Sequence, residues 1–427
     1  MKYRQGFLLL WFCLLLMNNA SALLFDAEEL RPQEKSKQNP SVDRYVDGVI
    51  ALSKNKLTTA KNNFSESYRL NPEFPLPLIG LADVALRNQQ KKEALSWLQK
   101  ALDIAPNNPH VYQSLGRFYS LDGKRSEAES AFQKAISLNP NGFSAHLDLA
   151  DFYINILGNP EKAVAAYQAA LNLNPVHAGA YHGLGMVLAI KGETAQAIVN
   201  FHKAIELAPT NPLPRQALGR IYHAEKQNDN ALQEYDEALR IQKDFLPALI
   251  GKGDIYLDQG NFKRALHELQ HAANIAAQND QVQLKLGMAL QGLGRFTDAE
   301  KAYLTGIQLN PDLALAYNNL AWMAAENKNN LTQALQWAHK AVDLSPKTSV
   351  FHDTLAWVYR AQGKLDAAEK TLSKAVEMQP QSAEIYHHLG MVYLEQKKLE
   401  LARKAFQQAI EKDKNHLPTI RALNTFK

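Results

Sequence analysis

Cysteine is all but missing: Cys13 is the single one in 427 residues, and it lies in the first apolar stretch. Beyond it the chain has no disulfide, no thiol nucleophile and no cysteine-ligated metal. A charge of one sign is missing too, since 47 basic residues meet 43 acidic ones with no basic cluster. That balance argues against nucleic acid or an anionic membrane surface as a partner. Long apolar runs are also wanting. The longest is Phe7 to Met17, which as a helix reaches only about 16 Å against a bilayer core of about 30 Å. No nucleophile, base and orienting group assemble into a catalytic set, so neither a catalytic residue nor a cofactor is expected.

What is present begins with an export signal. Lys2 and Arg4 precede the apolar run, and Ala20-Ser21-Ala22 follows it as a small-x-small cleavage site before Leu23. Residues 1–22 are expected to be a signal peptide cut after Ala22, and residues 23–40, polar and charged, a flexible leader. The expected location is periplasmic or secreted, with no stable membrane span after cleavage. The alternative is a tether to the inner membrane by an uncleaved signal.

The main feature is internal repetition. Prolines at 72, 106, 140, 175 and 209, then at 311, 346 and 380, close similar segments at intervals of 34 or 35 residues. The gap from 209 to 311 is three such intervals, and Lys243, Ala277 and Lys414 end the remaining segments. With the closing residue as position 32, position 20 is alanine in all eleven segments, from Ala60 to Ala402. Position 8 is glycine or alanine throughout, and position 27 is alanine except at Ser67 and Gly306. Small residues at 8 and 20 let two helices approach, while larger apolar residues at 4, 7, 11 and 24 share the same helical face. Glycine at position 15, in Gly123, Gly192, Gly260, Gly294 and Gly363, suits a left-handed residue ending the first helix. Proline at 32 stops the second. Two segments carry an extra residue in the turn, at residues 155–160 and 326–330, where local bulges are expected.

The pattern of an aromatic, then L-G-x-x-Y, then alanine, an aromatic, alanine and proline is well seen in Tyr112, Leu115, Gly116, Tyr119, Ala128, Phe132, Ala135 and Pro140. It resembles the tetratricopeptide repeat (TPR) family across residues 41–414. The resemblance implies an all-α fold: a right-handed α-solenoid of about eleven helix-turn-helix repeats, first helices lining the inner surface. Residues 415–427, with Leu417, Ile420, Leu423 and Phe426, are expected to form a C-terminal capping helix over the last apolar face. The last three repeats contain Tyr317-Asn318-Asn319-Leu320-Ala321-Trp322, Asp353-Thr354-Leu355-Ala356-Trp357 and Tyr386-His387-His388-Leu389-Gly390. These are similar to the final repeats of bacterial cell-envelope TPR proteins of the exosortase- and exopolysaccharide-linked type.

His267-Glu268-Leu269-Gln270-His271 matches the zinc peptidase signature H-E-x-x-H. Its register argues for coincidence: Ala265, Leu269 and Ala272 occupy the packing positions, which turns the histidines outward, and no third ligand follows. No metal site is expected.

In TPR folds, positions 2, 5, 9 and 12 of the first helix commonly face the inner groove. Position 9 is mostly charged earlier in the chain, with Asp83, Arg117, Asp151, Met186, Arg220 and Asp254, then turns apolar with Met288, Trp322, Trp357 and Met391. Asn318, Asp353 and His387 stand one turn before three of the last four. These seven residues are the expected partner-binding groove, since tryptophan and methionine rank high as contact residues. The asparagine and aspartate are expected to bond a partner's backbone, although Trp322 and Trp357 could equally pack between repeats. The function expected is a non-enzymatic scaffold of the cell envelope, an adaptor for secretion, polysaccharide export or envelope assembly. It would hold other proteins or peptide segments in its concave groove. The alternatives are a chaperone-like client-binding subunit and, more remotely, the zinc peptidase.

Overall fold

The computed structural model describes residues 39–425. The expected signal peptide and nearly all of the expected leader lie outside them. The described residues form 23 α-helices and no strand. Their contacts divide the chain into two units, which meet between residues 221 and 222.

In the first unit, five helix pairs follow one another. They are α1 (Pro40–Ser53) with α2 (Leu57–Leu70), α3 (Leu76–Arg87) with α4 (Lys91–Ile104), and α5 (Pro109–Asp122) with α6 (Arg125–Leu138). Then come α7 (Phe143–Asn155) with α8 (Pro160–Leu173), and α9 (Ala178–Lys191) with α10 (Thr194–Leu207). The division falls inside α11 (Leu213–Ala224). The second unit continues with α12 (Asn228–Ile241), α13 (Leu246–Asp258), α14 (Phe262–Ile275), α15 (Asp280–Gly292) and α16 (Phe296–Leu309). It ends with α17 (Ala314–Glu326), α18 (Leu331–Leu344), α19 (Ser349–Ala361), α20 (Leu365–Met378), α21 (Ala383–Glu395), α22 (Leu399–Lys412) and the short α23 (Leu417–Asn424).

Each pair is closed by a short turn and sealed by the small positions. Every position-20 alanine is fully buried, from Ala60 through Ala402. Where position 8 is glycine, the missing Cβ is filled by the large residue at position 24 of the same repeat. A Cβ on Gly48 would lie 2.5 Å from the Phe64 ring, one on Gly116 2.6 Å from Phe132, and one on Gly185 2.8 Å from Phe201. The second unit repeats this with Gly287 against Tyr303 and Gly390 against Phe406, both at 2.5 Å. Where position 8 is alanine, as at Ala82 and Ala356, the opposite residue is the slimmer Leu98 or Leu372. These pairs are matched by volume, as close packing demands, while Gly253 faces the slimmer Leu269 and Ala150 has Tyr167 at position 24.

The turn between helices is left-handed at position 15 in glycine and non-glycine repeats alike. Gly123 has φ 78° and Gly192 82°, but Asn55 at 54°, Gln89 at 60°, Lys226 at 61° and Lys397 at 63° adopt the same conformation. Two well-packed helices over-determine the turn, so non-glycine residues accept the strain. At the two longer turns an asparagine caps the second helix. Asn159 bonds the Lys162 N–H at 2.9 Å to cap α8, and Asn330, at φ 42°, bonds that of Gln333 at 3.3 Å to cap α18.

Within each unit, first helices pack on the first helix of the next repeat as well as on their own mates: α1 on α3, α3 on α5, α17 on α19 and α19 on α21. Along these stretches their free faces form a continuous surface. At the end, α23 lies on α22, its own Thr419 fully buried in the contact.

Candidate functional site

The first helices α15, α17, α19 and α21 carry Met288, Trp322, Trp357 and Met391, all half-buried, and α17, α19 and α21 pack in succession. The equal spacing of position 9 on neighbouring helices brings the two tryptophans together. Their rings stack with centroids 5.6 Å apart and planes 13° from parallel. The Trp357 indole N–H donates to the Glu326 carboxylate of the preceding repeat. The Arg360 guanidinium lies 4.1 Å from the centre of the Trp357 ring, a cation–π contact. Arg360 is itself anchored on Glu395 by bonds of 2.9 and 2.5 Å. Seven residues before each tryptophan, two helical turns along the same face, Leu315 and Val350 are 37% and 50% exposed. The pair is thus neither core nor free surface: it is fixed from beneath and open on one side.

The polar residues at position 5 are turned inward. Asp353 is buried, and its carboxylate accepts from His388 Nδ1 at 2.8 and 2.9 Å. His387 is buried and meets the Thr419 hydroxyl at 3.1 Å. Asp353 and His387 are therefore spent inside the chain and do not offer themselves to a partner's backbone. Asn318 differs. It is 5% exposed, its amide reaches Asn319 at 3.4 Å, and its Oδ1 is buried without a hydrogen-bond partner. An unmatched buried acceptor is costly, and it stands on the helix face between Leu315 and Trp322.

His388, at position 6, is named in the sequence as part of Tyr386-His387-His388-Leu389-Gly390 but not among the groove residues, because a second histidine beside His387 carries no periodic signal. Its ring lies 4.2 Å from that of Trp357 and 5.5 Å from that of Trp322. Burial opposes its charged form, but the Asp353 carboxylate, reinforced by Glu384, wins and pushes its pKa up to about 9. Hydrogen bonding by His388, then by His416, against the opposing effect of burial, holds Glu384 down at about 2. Burial, then the neighbouring His388 charge, pushes His387 down to about 4. His388 is thus an imidazolium and His387 a neutral imidazole at neutral pH.

The corresponding face of the first unit is ionic. Asp148 accepts from Arg117 at 2.5 Å and from Gln113 at 2.8 Å, and the Tyr167 hydroxyl donates to Asp151. Burial pushes Asp83 up to about 6 and Asp151 up to about 7. A carboxyl raised in the fold contributes stability that is complete below its unfolded pKa, near 3.8, and lost as pH rises through the folded value. Asp151→Asn should therefore leave the melting temperature unchanged at pH 4 but raise stability at pH 8.5. The gain should be about 2 kcal/mol, about half of what so large a rise would give in a dry interior, because the group is partly wet. Calorimetry at the two pH values measures it, and equal effects at both would refute it.

The H-E-x-x-H segment on α14 has the geometry expected from its register. His267 is exposed, His271 bonds Asp244 at 2.9 Å, and Glu268 is buried against Lys252 at 2.8 Å. A glutamate turned inward onto a lysine has no path to a water held between the histidines. Among the described residues no helix is long and apolar enough to cross a membrane.

Comparison with known proteins agrees with this architecture. Residues 51–117 and 121–186 match one tetratricopeptide repeat family model, and residues 178–211 match another. Residues 211–422 match the model described as the cilia and flagella-associated protein 70 C-terminal domain. Among curated relatives, anaphase-promoting complex subunit 3 of Schizosaccharomyces pombe is 29% identical over 204 residues, 48% of this chain and 30% of that protein. The CTR9 homolog of Arabidopsis thaliana is 25% identical over 228 residues, 51% of this chain and 21% of that protein. The chain thus spans under a third of the length of these two relatives. Among solved structures, the Cut9–Hcn1 hetero-tetramer of the anaphase-promoting complex aligns over 91% of this chain and 96% of its own. The TM-score is 0.51 at 15% identity, a likeness of fold alone. The chain is built of tetratricopeptide repeats arranged as an all-helical solenoid.

Proposed function

We propose that this chain of tetratricopeptide repeats is a non-enzymatic interaction scaffold that binds a partner segment across the tryptophan face of its last repeats. We further propose that it works in the cell envelope as an adaptor for secretion, polysaccharide export or envelope assembly. The observation that carries the binding reading is the stacked indole pair, rigidly held and open on one side. Aromatic residues left half-open on a surface serve as anchors, and such anchors dominate binding energy when a partner covers them. Leu315 and Val350 extend the apolar strip. The bound segment is therefore an extended, mainly uncharged stretch of polypeptide in the groove. The position-9 side chains that would face it there are Met288, Trp322, Trp357 and Met391. One relative bears the name of a subunit of a multiprotein complex, which fits such a role. The envelope location rests on the N-terminal pattern of Lys2, Arg4, the apolar run and Ala20-Ser21-Ala22.

The test is crosslinking in the native cell followed by co-purification, with fractionation alongside. Trp322→Ala/Trp357→Ala should reduce recovery of a discrete partner set by about tenfold or more, as expected for hot-spot residues. It should leave the helical melting transition close to that of the wild type. Partners retained at wild-type levels would move the site elsewhere. Recovery of many unrelated unfolded proteins would instead indicate a chaperone-like role.

A further inference from the structure

Beneath the tryptophan pair, a continuous polar chain runs to the end of the solenoid. His388 touches both indoles from below, with ring centres 4.2 Å from Trp357 and 5.5 Å from Trp322. Its Nδ1 is clamped by Asp353 at 2.8 Å, and its Nε2 faces Glu384 at 3.3 Å. The second oxygen of Glu384 receives His416 at 2.7 Å, at the start of α23. His416 Nδ1 and His387 Nδ1 both meet the hydroxyl of Thr419, at 2.7 and 3.1 Å. That hydroxyl belongs to the fully buried residue by which α23 seats on the last repeat. Three successive structural layers are thus joined by side chains with no gap: terminal helix, last repeat and tryptophan pair.

We propose that His388 is the positioning residue of the Trp322–Trp357 pair and that the terminal helix α23 steadies it through His416 and Glu384. Seating of the terminal helix and presentation of the binding face are then one coupled event. The inference rests on the tryptophan face being the binding site, but its test reads the indoles directly and needs no partner. The groups facing the His388 ring are Asp353 from α19, Glu384 and His387 from its own helix, and His416 behind Glu384. Arg360, paired with Glu395, lies on the Trp357 ring. The two carboxylates nearest the ring favour its charge, and His387, neutral, adds none.

Protonated imidazole quenches indole emission far more than the neutral ring, so the pair reports the state of His388. The experiment is tryptophan emission of the full chain from pH 6 to 10. The signal of a Trp322→Phe/Trp357→Phe variant is subtracted to remove Trp11, Trp97 and Trp337. Emission of the wild-type pair should rise with a midpoint near 9, and His388→Gln should abolish the step. Glu384→Gln should lower the midpoint by about one pH unit through loss of a facing charge. Thr419→Val should move it the same way, because a Glu384 released from the terminal helix is screened by water. If His388→Gln does not fold, Glu384→Gln carries the test, since that side chain is 54% exposed. A flat wild-type profile, or a midpoint unmoved by Glu384→Gln or by Thr419→Val, overturns the proposal. Midpoints that move as stated, with partner capture indifferent to the tryptophans, would uphold the coupling and reject the binding site.

Discussion

Phe132→Ala should lower the stability of the first unit by about 3–5 kcal/mol, the cost of emptying a large buried aromatic site. Its ring is 1% exposed, fills the space left by Gly116 on α5 and packs 5.6 Å from Phe152 of the next repeat. The cavity would therefore open both within a hairpin and between hairpins. The converse change tests the same fit. Gly116→Ala places a Cβ 2.6 Å from the ring and should cost about 1–3 kcal/mol by overpacking. Combined with Phe132→Leu it should cost less than the sum of the two, because alanine facing leucine is the pairing that other repeats of this chain use. Urea unfolding followed by helical ellipticity measures all four proteins. Since repeat arrays can unfold in parts, hydrogen exchange across α5 to α7 localises the effect. Strictly additive costs would show that positions 8 and 24 do not share one space.

Asp353→Asn should destabilise the second unit by about 3 kcal/mol at pH 6 and by much less at pH 10, since a tenfold change in proton affinity is worth about 1.4 kcal/mol. The direction follows from His388. Its folded pKa, about 9, stands above the ordinary 6.5, so its contribution is complete below 6.5 and disappears as pH rises through 9. The His388 side chain is 4% exposed and that of Asp353 8%, so water does little to screen the pair. Removing the carboxylate strands an imidazolium in the interior, which must lose its proton to stay there. Wild-type stability should therefore fall between pH 7 and 10, while the variant curve stays flatter and meets it at the top. Parallel curves would mean that His388 is neutral in the folded chain.

The repeat, its length and its small packing positions were legible because each is dictated by local helix geometry and recurs eleven times. The left-handed turn was legible only where glycine marked it. Asn55, Gln89, Lys226 and Lys397 take the same conformation, which no propensity would indicate, because packing of the helices on either side imposes it. The outward turn of His267 was legible too, since it follows from the register of Ala265 and Leu269.

The geometry of the candidate site was legible in part. Position 9 picked out tryptophans that the fold leaves half-buried, because a residue one place after a packed glycine or alanine must lie at the edge of the buried stripe. The polar residues at position 5 were the harder case. Their sequence places them on the same helix face, but whether a polar side chain there reaches outward or inward depends on what the neighbouring repeat presents. His388 captures Asp353 from the first helix of the next repeat, and Thr419 captures His387 from the terminal helix. Both partners lie more than thirty residues away.

The sequence by itself determined the helical hairpin, its repetition, and the residues that must be small for two helices to meet. These are properties of a helix and its nearest mate, repeated until they are unmistakable. The tertiary structure alone decided which polar groups are spent internally, that His388 lies against two indoles with Asp353 on its Nδ1, and that the terminal helix connects to them. Such features depend on side chains from three neighbouring layers converging on one point, and no period in the sequence records that convergence.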